Sequence, residues 1–123
     1  MDDLEFEISP EQSVYIKLKM TVAHEELAQS DRPTSERSLT ARNYDSSITA
    51  LGEYLEVSGH PLPTRPVLEQ WRKDMQSGKL GRIYKPTTVN ARLSAVRKLL
   101  RKVASETTDM MLRFVIEHWA TVA

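Results

Sequence analysis

Apolar residues recur along this chain at helical spacing, and nowhere do they alternate over a useful strand length. Four glycines, and six prolines set mostly between the periodic stretches, fit helices joined by short connections. The first helix is predicted to open at Ser9-Pro10-Glu11 and run to about Ala28. Serine caps, proline suits the first turn, and glutamate favours the positive helix end. Val14, Leu18 and Val22 fall on one side of it and Ile16, Met20 and Leu27 on another, which predicts contact with two surfaces. The polar stretch Gln29 to Arg37, with Pro33, reads as a linker.

A second helix from Ser38 or Thr40 carries Tyr44, Ile48, Leu51 and Leu55 as its buried stripe, and Gly59 ends it. After the turn His60-Pro61-Leu62-Pro63, Thr64 is expected to cap a third helix with Pro66 in its first turn. Val67 or Leu68, Trp71 and Met75 form its inner side, and Gly78 stops it. Lys79 to Lys85 is a basic loop. Thr87 is expected to cap a fourth helix, whose stripe is Val89, Leu93, Val96, Leu100 and Val103. Ser105 is expected to cap a fifth. The expected fold is all-α, a small bundle of four to five helices, and 123 residues leave room for one real core.

Charge changes the picture. The chain has 17 bases and 17 acids, yet none of those acids lies between Asp74 and Glu106. Eight bases do: Lys79, Arg82, Lys85, Arg92, Arg97, Lys98, Arg101 and Lys102. Residues 1–38 carry a net −5, residues 39–105 a net +7, and residues 106–123 a net −2. A one-sided field of this kind points to a polyanion, most often nucleic acid. The competing reading is a solvated helix surface balanced by the acidic ends of the same chain.

The fourth helix leaves two polar faces beside its apolar stripe. One is the row Asn90, Ser94, Arg97 and Arg101. The other is Thr87, Ala91, Ala95, Lys98 and Lys102, with Thr88 and Arg92 at its edge. Arginine and asparagine can read base edges, lysine contacts phosphate, and small alanines let a helix approach a groove closely. Arg92 can also snorkel along the core edge. On the second helix, Arg42, Asn43 and Ser46 lie together at the helix start, a position suited to phosphate contact. The pattern by itself does not choose between these faces.

Other chemistry has little support. With no cysteine there is no disulfide or thiolate metal site, which fits a reducing cytoplasm. His24, His60 and His118 are scattered, so no metal and no cofactor is expected. No phosphate-cradling glycine loop or nucleophile motif is present. No apolar run approaches the roughly 20 residues of a membrane span. The acidic start (Asp2, Asp3, Glu5, Glu7) is the opposite of a signal peptide.

The segment Thr88-Val89-Asn90-Ala91-Arg92-Leu93-Ser94-Ala95-Val96-Arg97 resembles the helix signature of the SAM-like core-binding domain of tyrosine recombinases, the phage-integrase family. Ser38, Thr40 and Tyr44 resemble that domain's opening Ser-x-x-Thr-x-x-x-Tyr type of pattern. The proline-flanked break, the Trp71 helix and the basic loop before Pro86 follow the family's order, so the likeness covers about Thr34 to Ala104.

The resemblance implies a small orthogonal helical bundle that forms half of a clamp on double-stranded DNA, for integration or recombination. It divides the chain into an N-terminal helix and linker (1–33), the core-binding domain (34–105) and an apolar C-terminal helix (106–123). Carried over, the DNA-facing positions are Thr40, Arg42, Asn43 and Ser46 on the second helix. On the fourth they are Thr87, Thr88, Ala91, Arg92 and Ala95, with Lys98 further along. Lys79, Arg82 and Lys85 add phosphate contacts from the loop. This favours the alanine-lined face and leaves Arg97 to structure.

The family's catalytic half supplies two arginines, a His-x-x-Arg box, a lysine and a tyrosine nucleophile. This sequence has no such constellation, so it is expected to be non-catalytic and to belong with a catalytic domain not contained in it. The apolar last helix would then close its own bundle or, through Phe114 and Trp119, dock that domain or a neighbouring protomer on DNA. The rival expectation is a helical protein-interaction module whose basic face meets an acidic partner.

Overall fold

Each predicted apolar stripe becomes a helix in the computed structural model, which describes residues 7–28 and 39–122, apart from the side chains of Ala28 and residues 39–42. The helices are α1 (Pro10–Ala28), α2 (Leu39–Ser58), α3 (Arg65–Ser77), α4 (Pro86–Ser105) and α5 (Met110–Trp119). The described residues contain no strand, so the fold is an all-α bundle. The expected linker at 29–37 and the acidic residues Asp2, Asp3 and Glu5 lie outside the described residues. No described helix is long and apolar enough to cross a membrane.

The bundle is organised on α4, which packs against each of the other four helices. Its whole expected stripe is buried, together with Leu99, Ala95 and Ala104. Trp71 of α3 sits in the same core with its ring centroid 6.1 Å from that of Tyr54 on α2. Helix α1 brings Ile16 and Ala23 into this core, and α5 brings Leu112, Val115, Ile116 and Trp119. The two flanking helices therefore share one core with the middle three.

Several expectations need correction. α1 does not bury two surfaces: Val14, Leu18 and Val22 point to solvent, the first two about two-thirds exposed. The α2 stripe is rotated, so that Ile48, Leu51 and Tyr54 are buried while Tyr44 and Leu55 are only partly covered. α4 starts one residue before the expected cap. Lys85 is its N-cap residue, Pro86 opens the helix, and Thr87 makes no cap. Thr64 occupies the N-cap position of α3 without a side-chain bond. Ser105 belongs to α4, where its hydroxyl donates to the Lys102 carbonyl at 2.7 Å. Asp109 caps α5 instead, accepting the Leu112 N–H at 3.1 Å. Trp119 is only 5 % exposed and anchors this bundle, whereas Phe114 is 57 % exposed beside Met110 and Met111.

The start of α1 follows expectation and adds a partner. Ser9 Oγ accepts the Gln12 N–H at 3.1 Å, and Gln12 Oε1 accepts the Ser9 N–H at 3.0 Å. This reciprocal pair satisfies two amide donors at the helix end.

Candidate nucleic-acid interface

The basic loop is held against α3 and the start of α4. Gly78 ends α3 at φ 86°, a left-handed conformation that suits glycine. The chain then turns back, and the Tyr84 N–H donates to the Met75 carbonyl at 3.0 Å. This places the half-buried Tyr84 ring between two bases, with the guanidinium carbons of Arg82 and Arg92 each 4.6 Å from its centroid. Arg92 also reaches Met75 Sδ at 3.8 Å. Its guanidinium is thus engaged on the α3 side, against the loop. The reading of Arg92 as a residue that snorkels at the core edge describes this contact well.

The first turn of α4 has no acidic residue and no side-chain cap. Thr87 is exposed and Thr88 half-buried there, beside exposed Lys85 and Arg82. Helix starts of this kind favour negative charge through their amide donors and the helix dipole. Lys79, Arg82, Lys85, Lys98 and Arg101 make no salt bridge with any described carboxylate.

Further along, α2 and α4 meet in a shallow groove of about 180 Å³ lined by Asn43, Tyr44, Ala91, Ser94 and Ala95. Lys98 Nζ lies 4.7 Å from the Tyr44 ring centroid, which fixes the lysine at the edge of this groove. Asn43 and Ala91 are therefore brought together as expected, and both are exposed. Ala95 also lines this groove, but only 3 % of its surface is exposed. Ser46 is exposed on α2, and the side chains of Thr40 and Arg42 lie outside the described residues.

The exposed members of the two polar rows of α4 form one face. Thr87, Asn90, Ala91, Ser94, Lys98 and Arg101 are all exposed and adjacent on the helix surface. Arg92 lies about 100° away from Ala91 around the helix, as any neighbouring residue must. Arg97 donates to the Val122 carbonyl at 2.9 Å and to Ser94 Oγ at 3.0 Å, tying the end of the chain to α4. Lys102 is paired with Glu26 of α1 at 3.3 Å and with Glu106 at 3.5 Å. The bond to Glu26 does most to hold its ammonium above the usual lysine range. One end of the basic segment is thus neutralised by the acidic first helix.

A buried polar pair was missed in the sequence. The Tyr54 hydroxyl donates to Asp74 Oδ2 at 2.8 Å, and Gln70 Nε2 donates to Asp74 Oδ1 at 2.8 Å. The spacing of Gln70 and Asp74, four residues apart on one helix, was the available signal. Tyr44 and Tyr84 were likewise visible as tyrosines but not as platforms for cations. Among the described residues no group of three or more His, Asp or Glu side chains converges on a metal-sized site. The chain matches no protein-family model, no curated protein and no solved structure.

Proposed function

We propose that this chain is a non-catalytic DNA-binding domain of the tyrosine-recombinase core-binding type. It holds duplex DNA against the start of α4, its exposed face and the loop before it. The observation that carries this reading is the set of five exposed cations, Lys79, Arg82, Lys85, Lys98 and Arg101, which have no carboxylate partner among the described residues. A protein surface that leaves so many bases unpaired in one segment is suited to a phosphate backbone. Asn43, Thr87 and Asn90, all exposed, would make base or sugar contacts, and Arg92 would act through Tyr84 by holding the loop. Met110, Met111 and exposed Phe114 form the side on which a catalytic domain or a neighbouring protomer would rest.

The test is a fluorescence-anisotropy titration with duplex DNA across a salt series. If about five phosphates are neutralised, log affinity falls with log salt at a slope of about −4 to −5. Lys85→Ala with Lys98→Ala is expected to flatten that slope by about 2. A response independent of salt would overturn the reading. Supercoiled plasmid is expected to stay un-nicked under the same conditions.

The exposed apolar residues of α1 and α5 favour a second reading, a helical protein-interaction module. Under it the lysine double variant leaves partner binding intact, and DNA is not retained at physiological salt.

A further inference from the structure

Asp74 is a buried carboxylate without an ion-pair partner. It is 6 % exposed, and no basic nitrogen of a described residue lies within salt-bridge distance of it. Buried charges in proteins are generally paired, because an isolated one is costly to desolvate. Tyr54 and Gln70 each donate one hydrogen bond, one to either oxygen. A carboxylate has room for about four such bonds, so each oxygen keeps an acceptor site.

Asp74 also stands on the wall of a cleft of about 710 Å³, formed by the end of α2, by α3 and by the loop after it. Val57, Leu80 and the rings of Tyr54 and Tyr84 give the cleft an apolar part, and Glu53, Ser58, His60, Gln70 and Lys79 line it beside Asp74. The size is that of a small-ligand site, and apolar surface there lies beside several polar groups. Burial pushes the Asp74 carboxyl up, but the bonds from Gln70 and Tyr54 and the field of Lys79 together hold it below its ordinary value. The carboxylate is therefore negative at neutral pH.

We propose that this cleft binds an organic cation, an amidinium, guanidinium or ammonium group carried on an apolar body. The charged head meets the free acceptor sites of Asp74, and the body lies among Val57, Leu80 and the tyrosines. A planar head with two parallel N–H donors suits a carboxylate that keeps one further acceptor site on each oxygen. Lys79 lines the same cleft and feels Asp74 without pairing with it, so it is a tethered competitor for the incoming cation. The same chemistry is offered by a free small amine and by an arginine side chain of another protein.

Amide-resolved NMR titration of the full chain decides the matter, with benzamidine as the cation and benzamide as its uncharged isostere. Benzamidine is expected to give saturable shifts at Tyr54, Asp74, Leu80 and Tyr84, and to bind about tenfold or more tighter than benzamide. Asp74→Asn is expected to remove that advantage. Lys79→Ala, at an exposed position that leaves the core untouched, is expected to tighten benzamidine about twofold to fivefold. N-acetylarginine amide is the second cation. Tighter binding of it than of benzamidine assigns the site to a protein side chain, and the reverse order assigns it to a small aromatic cation. Equal binding of benzamidine and benzamide, or no saturable shift with either cation, overturns the proposal. So does unchanged or weaker benzamidine binding in Lys79→Ala, an arm that stands even where Asp74→Asn fails to fold.

Discussion

A carboxylate between two helices must be held, and at the residue scale Tyr54 does much of the holding. Burial, the bond to Asp74 and the negative field of Asp74 together push the Tyr54 hydroxyl up from 10.0 to about 12. The folded state grips this proton more tightly than the unfolded chain does. The resulting stability is therefore complete below pH 10 and is lost as pH climbs through about 12. Tyr54→Phe is expected to lose about 1–3 kcal/mol at neutral pH, because Asp74 is left short of a donor. It is also expected to show a shallower alkaline decline than the wild type between pH 10 and 12, measured by urea unfolding at each pH. A second pair of residues separates core from surface. Trp119→Ala is expected to cost about 3–5 kcal/mol and Phe114→Ala to stay within about 0.5 kcal/mol. Thermal and chemical denaturation of the two variants checks this.

At the scale of the element, α5 shows how a helix start is set by the residue that can reach the free amide. Asp109 makes that bond and Ser105 does not, since Ser105 is still inside α4. Asp109→Ala is expected to destabilise by about 1 kcal/mol and Ser105→Ala by about 0.5 kcal/mol or less, read from denaturation midpoints. Ser105 alone is the cap expected from the sequence, although Asp109, four residues on, is as good a capping type, and the course of the chain through 106–109 decides between them. The same holds for α4. Its apolar stripe was readable in full, because five residues recur at helical spacing. Its polar face was not, because which side chains stay exposed depends on where α2 and α5 lie against it. That is why Ala95, read as a DNA-facing position, is almost wholly buried where α4 meets α2.

Across the whole sequence, the neutral net charge conceals an acidic first segment and a basic middle. Among the described residues, Glu26 of α1 pairs with Lys102 of that middle. Glu26→Gln is expected to loosen Lys102 for phosphate contact and to steepen the salt dependence of duplex binding by no more than about 1. Its effect on stability is expected to be below about 1 kcal/mol, because the pair is partly exposed. Anisotropy titrations and melting curves of the single variant measure both.

Periodicity, proline and glycine placement and the acid-free run determined the helix count, the central stripe of α4 and the basic segment. These are local properties, legible because a helix repeats every few residues and a charge needs no partner to be counted. Tertiary structure alone decided what several of the bases lie against. Lys102 is paired across helices, Arg92 is stacked on Tyr84, and Lys98 is set against Tyr44. It also decided that Trp119 is core and Val14 is surface, and that Asp74 is buried without a salt bridge to any described residue. Each of these depends on packing between segments far apart in the chain, and helical spacing carries no information about that distance.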